Sequence, residues 1–259
     1  MRKTVFIGAM KPMTAGHYQM IQQAISDAKC PDGEIPAKET FILVSVQDRI
    51  KAKQFPIAGE TAIEAFADFY SNVEGFLSDI PEGNTVNLIF VASNKFHADN
   101  PERIQTIQSV VNRIDQNLAA RGVPANVEFS LVRSGPPDYL LSLAEASPSD
   151  QFMLYVGADD VNKYKFLAKY ASNIQTSSFE RFAGGMSGTE VRQLFGTDEL
   201  SPEQTDRLKS AFPAGVDPVT LRDFYRSRVD EGGLLESTIY GNRDVEKAIR
   251  SVFIRGLMK

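Results

Sequence analysis

The chain has 259 residues, of which 42% are hydrophobic and 24% charged, so it can bury the core of one large α/β domain with an appendage. Its 28 basic and 33 acidic residues leave a net charge of −5, which argues against a sequence-independent nucleic-acid binder. The single cysteine, Cys30, together with the lack of a signal-peptide pattern and of any apolar run near ~18 residues, favours a cytoplasmic protein with no membrane partner.

Short apolar runs alternate along the chain with segments of helical period. The runs at 4–7, 41–46, 86–92, 127–132 and 152–156 are rich in Val, Ile, Leu and Phe, which predicts strands buried on both faces. Helices are predicted between them at 18–29, 60–77, 104–118 and 139–146. This alternation predicts a mostly parallel sheet in a Rossmann-like, three-layer α/β domain over residues 1–196. Ligands of such sheets bind beyond the carboxyl ends of the strands.

The pattern changes after about residue 195. Ser201 precedes Pro202 and Asp217 precedes Pro218, and both pairs are typical of helix starts. A further helix is predicted at 243–257, and no apolar strand is found in this part of the sequence. Residues 197–259 are therefore predicted to form a C-terminal helical extension.

Residues 8–17, named here the first segment, read Gly-Ala-Met-Lys-Pro-Met-Thr-Ala-Gly-His and follow the first predicted strand directly. A strand that ends at Gly8 and restarts as a helix near Gly16 leaves unpaired N–H groups at the helix N-terminus, where an anion can bind. His17 falls in the first turn of that helix and can donate to phosphate oxygens. The alternative is that His17 is an ordinary first-turn residue on an exposed helix.

Residues 184–192, named the second segment, read Gly-Gly-Met-Ser-Gly-Thr-Glu-Val-Arg. Ser187 and Thr189 can cap a helix that begins near Gly188, and its N-terminus offers N–H groups and hydroxyls to a phosphate. Arg192 lies one turn into that helix, where a guanidinium can bind phosphate through two hydrogen bonds. The alternative is a plain capped helix that follows a flexible glycine pair.

Two more stretches lie at the predicted carboxyl ends of strands. Arg49, Lys51 and Lys53 follow the second strand, where their charges alone are typical of a solvated basic turn; the family resemblance named in the next paragraph makes them candidates for contacts with phosphate or acceptor. Gly157 and Asp159 follow the fifth strand. By itself the pattern is typical of a helix N-cap at Asp159 or Asp160; the family resemblance named in the next paragraph implies equally that Asp159 holds a ribose or a water bound to Mg²⁺.

The two segments lie about 170 residues apart, and together they resemble the two signatures of the nucleotidyltransferases related to class I aminoacyl-tRNA synthetases. The resemblance implies a Rossmann-like enzyme that transfers NMP from an NTP to a small phosphorylated acceptor and releases pyrophosphate, with Mg²⁺ bridging the triphosphate. It implies that His17 stabilises the pentavalent centre, that Thr14 supports the nucleotide phosphates, and that Arg192 helps to hold the β- and γ-phosphates. The implied catalytic residues are His17, Arg192 and Lys53, and the implied nucleotide-binding residues are Gly8, Ala9, Met10, Thr14, Gly16, Arg49, Gly157, Asp159, Ser187, Gly188 and Thr189; no residue is assigned to a metal.

The sequence departs from the resembled family at two positions of the first segment. Ala9 stands where many members carry Ser, Thr or Arg, and this favours an alternative in which the chain is a catalytically degenerate, nucleotide-binding structural or regulatory protein. Lys11 stands where several members carry Asp or Gln, and we expect it to add a cation near the mouth of the site. The Ser-Gly-Thr form of the second segment resembles adenylyltransferases more than cytidylyltransferases. Together with the Asp-Arg turn after the second strand and the helical C-terminal extension, it also resembles phage-encoded members. ATP is therefore the preferred donor and nicotinamide mononucleotide the preferred acceptor, while the oligomeric state is left open.

Overall fold

The computed structural model describes residues 1–29, 37–51, 54–94, 100–179 and 185–230. The described residues form six strands: β1 (Arg2–Gly8), β2 (Glu39–Ser45), β3 (Thr85–Ser93), β4 (Ala125–Val132), β5 (Gln151–Gly157) and β6 (Ile174–Phe179). They pair in parallel in the order β4-β3-β2-β1-β5-β6. The winding reverses between β1 and β5, which makes this a doubly wound, Rossmann-like α/β fold with its crevice at the carboxyl ends of those two strands.

Helices cover both faces of the sheet. In chain order they are α1 (Ala15–Ser26), α2 (Gly59–Ala65), α3 (Pro101–Ala120), α4 (Pro136–Ala146), α5 (Val161–Tyr164), α6 (Leu167–Tyr170), α7 (Gly188–Phe195), α8 (Pro202–Ser210) and α9 (Pro218–Asp230). A π-helical turn over Phe66–Tyr70 continues α2, and single 3-10 turns occupy Asp27–Lys29 and Ala158–Asp160. Along the described parts of the chain, no helix is long and apolar enough to cross a membrane.

Alternate strand residues divide the core into two layers, because successive side chains of a strand point to opposite faces. Phe6 and Phe90 pack with α1, α2, α3 and the C-terminal helices α7, α8 and α9. Val5 and Leu43 pack on the opposite face with α4, α5 and α6, where Leu140 is fully buried. The three-layer α/β architecture predicted from the alternating pattern is confirmed.

The five strands predicted from apolar runs are present within one or two residues of their expected ends. The sixth, β6, was not predicted, because four of its six residues are the polar run Gln-Thr-Ser-Ser at 175–178. It is an edge strand that pairs only with β5, and edge strands do not need to be apolar throughout. The four-residue helices α5 and α6 are too short to show a period in the sequence.

The described part of the C-terminal extension packs on the same core as the sheet. Ser201 caps α8 by accepting the Gln204 N–H at 3.2 Å, and Asp217 caps α9, as predicted. Tyr225 of α9 is 1% exposed and lies in the core layer that contains α1 and α2. The division of the chain at residue 196 stays a prediction, and the helix predicted at 243–257 lies outside the described residues.

Gly59, the first residue of α2, lies too close to β2 for any side chain. A Cβ at this position would lie 1.6 Å from the carbonyl oxygen of Val46. We therefore expect Gly59→Ala to lower the free energy of unfolding by about 2–4 kcal/mol, measured by urea denaturation. Gly157→Ala is the matched control, because a Cβ there meets nothing within 4 Å. A Gly59→Ala variant as stable as this control would contradict the close packing.

Candidate phosphate-binding site

The crevice between β1 and β5 brings the first segment next to the end of the fifth strand. Gly8 ends β1 and is buried against the Phe6 ring, and Gly157 ends β5 with open space on its Cα. The side chain of Ala9 is exposed, and that of Met10 is buried. Met10 has a φ of 45°, an unusual conformation for a non-glycine residue that often marks functional loops. The backbone of the first segment therefore forms the floor of this crevice, while Asp159 lies in the 3-10 turn that follows β5.

His17 is held in one orientation by the residue that precedes its helix. Its Nδ1 accepts the backbone N–H of Thr14 at 3.1 Å and lies 2.8 Å from the Thr14 hydroxyl oxygen. A ring nitrogen that accepts a hydrogen bond carries no proton, so the neutral imidazole carries its proton on Nε2. The geometry thus prepares Nε2 as a donor, and the buried Thr14 acts on the site by orienting His17.

The N-terminus of α1 offers fewer N–H groups than the sequence predicts. The Ala15 N–H donates to the carbonyl of Ala211 at 2.8 Å, so the linker between α8 and α9 already satisfies one of the unpaired donors. Gly16 is exposed, and none of the described residues accepts its N–H. Gly16 is therefore the backbone donor of α1 best placed for an external anion.

The second segment forms the capped helix that its sequence predicts. Ser187 is the N-cap of α7: its hydroxyl accepts the Glu190 N–H at 3.2 Å, and its own N–H donates to the Glu190 carboxylate at 2.7 Å. The Ser187 hydroxyl is therefore already used within the protein. Gly188 and Thr189, both partly exposed, form the first turn of α7, where N–H groups point away from the helix.

Arg192 joins the two segments across 181 residues of sequence. Its Nη1 donates to the carbonyl of Lys11 at 2.7 Å, Nη2 donates to the Thr189 hydroxyl at 3.2 Å, and Nε donates to the side-chain oxygen of Gln54 at 3.0 Å. The residue is only 5% exposed. Arg192 therefore holds the two helix N-termini together, and its direct contact with phosphate stays a prediction.

The sequence predicted that Lys11 lies near the mouth of the site. In the structure it lies inside the protein instead. It is 3% exposed, and its Nζ donates to the carbonyl oxygens of Ser45, at 2.8 Å, and Gln47. The expectation was wrong because the loop turns the side chain toward the end of β2, where the carbonyls of Ser45 and Gln47 accept its hydrogen bonds.

The loop after β2 is held by its own hydrogen bonds and by a partly buried ion pair with α3. The N–H and carbonyl of Arg49 pair with those of Ile57 at 2.7 and 3.1 Å. Asp48 accepts the Gly59 N–H at 2.8 Å and forms a 2.5 Å ion pair with Arg103 of α3. Among the described residues, the Arg49 guanidinium has no ion-pair partner. Lys51 is exposed, and Lys53 lies outside the described residues.

Lys11, Arg49 and Arg192 thus lie close together at the carboxyl edge of a chain whose net charge is −5. Burial lowers the pKa of Lys11 to about 7; the Asp48 charge opposes this shift, and the charges of Arg49, Arg103 and Arg192 add to it. Burial also lowers the pKa of Arg192 to about 10, with Arg49 as the second cause. An anion bound beside these basic groups offsets the repulsion between them and favours their protonated forms. The electrostatics of this edge therefore suit a bound phosphate.

The sequence patterns predicted candidate site residues. They did not predict the groups that hold those residues in place. The inward position of Lys11, the Ala211 carbonyl and the Gln54 side chain were not predicted. No local pattern indicates them, because each acts on a residue far away in the sequence. Only the placement of Lys11 between Met10 and Met13, both apolar, hinted at its burial.

An open groove of about 460 Å³ lies elsewhere, on the outer faces of α2, α3 and α9. Its polar lining includes the ion pairs Arg228–Glu64, at 3.0 Å, and Arg113–Asp68, at 3.1 Å. None of these helices carries a predicted site residue, so we assign the chemistry to the crevice at the sheet edge.

Fold and site together define a doubly wound α/β protein in which Arg192 joins the first segment to α7 near the carboxyl edge of the sheet. No protein-family model and no curated protein matches the sequence. Among solved structures, the Plasmodium falciparum nicotinic acid mononucleotide adenylyltransferase complexed with APC is similar over 87% of this chain and 97% of its own, with 10% identity and a TM-score of 0.43. Thermotoga maritima TmcAL bound with alpha-thio ATP is similar over 90% of this chain and 57% of its own, with 13% identity and a TM-score of 0.36. Both TM-scores are below 0.5, so neither similarity assigns an activity to this chain.

Proposed function

We propose that the protein is a nucleotidyltransferase that transfers AMP from ATP to a small phosphorylated acceptor. The observation that carries the proposal is the 2.7 Å hydrogen bond from Arg192 to the Lys11 carbonyl. This bond holds two segments with the pattern of phosphate-binding signatures at one edge of the sheet. The proximity of the Arg49 and Arg192 guanidinium groups at that edge, in an acidic protein, supports a polyanionic substrate.

In the proposed reaction, an oxygen of the acceptor phosphate attacks the α-phosphorus of ATP. The new phosphorus–oxygen bond forms opposite the bond to the β-phosphate oxygen, which breaks and leaves as pyrophosphate. No covalent intermediate with the protein is required, so positioning and neutralisation of charge supply the acceleration.

His17 is assigned the central role in this step. Because Thr14 occupies Nδ1, the Nε2 proton can be donated to a non-bridging oxygen of the α-phosphate, where negative charge develops. The Gly16 N–H and the first turn of α7 supply further donors for the phosphates. Thr14 and Arg192 are assigned to holding these donors in place.

Arg49 is the residue after β2 best suited to contact the triphosphate. Its guanidinium is partly exposed and electrostatically coupled to Lys11 and Arg192. Among the described residues, no three His, Cys, Asp or Glu side chains could together hold a metal ion. We therefore propose that Mg²⁺ arrives bound to ATP, whose charge it neutralises, rather than in a cage of protein ligands.

Nicotinamide mononucleotide is the proposed acceptor and ATP the proposed donor, both on the resemblance of the second segment to adenylyltransferases. The second candidate function is a degenerate protein that binds nucleotide without turnover. Ala9 favours that candidate, because this exposed position carries no side-chain donor for phosphate.

Pyrophosphate release separates the two candidates. We expect the protein, supplied with Mg²⁺, ATP and a panel of phosphorylated acceptors, to release pyrophosphate with at least one acceptor. With that acceptor, release should be faster when ATP is the donor than when CTP replaces it. The panel includes nicotinamide mononucleotide and its nicotinic acid counterpart, and ATP binding is measured in parallel by calorimetry. ATP binding without turnover on any acceptor would support the degenerate protein, and failure to bind either nucleotide would exclude both candidates.

A further inference from the structure

Lys11 is anchored on both its side chain and its main chain. Its Nζ donates to the carbonyls of Ser45 and Gln47 at the end of β2, while its own carbonyl accepts the Arg192 guanidinium. One residue therefore connects the first segment to the loop after β2 and to α7. These are the three pieces of backbone that form the edge of the crevice.

The surroundings of the Lys11 ammonium are unfavourable to a charge. The groups that act on it are Asp48 and Arg49 from the loop after β2, Arg103 from α3 and Arg192 from α7. Among the described residues, Asp48 is the only carboxylate that acts on this ammonium, and it already forms an ion pair with Arg103 at 2.5 Å. Burial lowers the pKa of Lys11 to about 7, so the neutral amine becomes the favoured form of the free protein as the pH rises above that value.

A bound triphosphate changes this balance. It places several negative charges beside Arg49 and Arg192, the two arginines that also border the proposed phosphate site. The opposite charge favours the protonated form of a nearby amine. An ammonium also donates more strongly than an amine to the two carbonyls of the β2 end.

We propose that Lys11 is a positioning residue of the nucleotide site, whose side chain holds the first segment against the end of β2 in its ammonium form, so that nucleotide binding takes up a proton. The inference rests on the proposed nucleotide site but not on turnover. It predicts that the affinity for nucleotide decreases as the pH rises above 7.

The test is calorimetric titration of the full chain with ATP and Mg²⁺, without acceptor, in two buffers of different ionisation enthalpy. At pH 8.0 we expect uptake of roughly half to one proton per ATP, beyond the uptake due to ATP itself. The dissociation constant should rise about three- to tenfold per pH unit between pH 7.5 and 8.5.

Two variants isolate the side chain. Lys11→Met should abolish the proton uptake and weaken binding about tenfold or more, and Lys11→Arg should abolish the uptake but retain more of the affinity, because its charge does not titrate. Lys3→Met is the matched control: Lys3 is a buried lysine at the opposite end of β1, paired with Glu39 at 2.7 Å and Asp150 at 3.2 Å. The control should keep the wild-type proton uptake.

The outcomes distinguish this inference from the proposed function. ATP binding by the wild type without proton uptake would overturn the role of Lys11 and leave the nucleotide site intact, and this measurement needs no variant to fold. Unchanged proton uptake in a folded Lys11→Met variant would assign the proton to another group and would also overturn the role of Lys11. The absence of ATP binding at any pH would overturn both the inference and the proposed function.

Discussion

Replacement of His17 by alanine is expected to lower the rate of pyrophosphate release by about 10²–10³-fold or more. The reason is the loss of a pre-oriented donor at the phosphorus centre, where negative charge develops in the transition state. His17 is only partly buried, so its removal costs the protein little more than the Thr14 hydrogen bond, or about 1 kcal/mol. Single-turnover release of pyrophosphate, with circular dichroism as the check on folding, measures the effect.

Two conservative variants separate the two nitrogens of His17. In His17→Asn the side-chain oxygen can replace Nδ1 as the acceptor of the Thr14 N–H, but nothing replaces Nε2. In His17→Gln the longer side chain can bring an N–H near the position of Nε2. We expect the asparagine variant to be stable and inactive, and the glutamine variant to recover part of the rate. Activity of His17→Ala within tenfold of the wild type would remove His17 from the mechanism.

Replacement of Arg192 by alanine is expected to damage both stability and activity. The change removes three hydrogen bonds from a nearly buried guanidinium and leaves the Lys11 carbonyl and the Gln54 side chain without their donor. We expect the free energy of unfolding to fall by about 3 kcal/mol, which lowers the Tm by about 6–12 °C in a domain of this size. Pyrophosphate release should fall about 10²-fold or more, because the two helix N-termini lose their connection.

Arg207→Ala is the matched control for Arg192→Ala. Its side chain is 55% exposed, and its 3.7 Å contact with Glu190 of α7 is a surface ion pair, worth at most about 1 kcal/mol. We expect no measurable loss of Tm or activity. If Arg192→Ala instead lowered the turnover while leaving the Tm unchanged, Arg192 would be a phosphate ligand rather than the connection between the two segments.

The order of strands and helices was predictable because apolar runs and helical periods are local properties of the sequence. Phe6, Leu88 and Leu154 lie in continuous apolar stretches, and each is fully or almost fully buried. The strand β6 was not predictable in this way, because a polar edge strand is defined by the neighbour with which it pairs. The caps at Ser187, Ser201 and Asp217 were predicted correctly, since capping depends on residues only three apart.

In the candidate site, too, features set by local sequence patterns were predictable and features set by distant contacts were not. Its proposed chemical groups, His17 and the first turn of α7, were found from the sequence because they stand in short patterns behind predicted elements. Lys11 was expected near the mouth and is instead buried, because its direction depends on the carbonyls of a strand more than 30 residues away. The use of the Ala15 N–H by Ala211 depends on the packing of the extension against α1.

The sequence by itself thus determined the fold class and pointed to the two segments on which the proposed phosphate chemistry rests. The tertiary structure decided how those segments are joined: through Arg192 and the Lys11 carbonyl, with the Lys11 ammonium turned inward. The physical reason is the distance along the chain over which each effect acts. Periodicity, capping and turns act over a few residues, whereas the burial of a charge and its hydrogen-bond partners are set by contacts between distant parts of the chain.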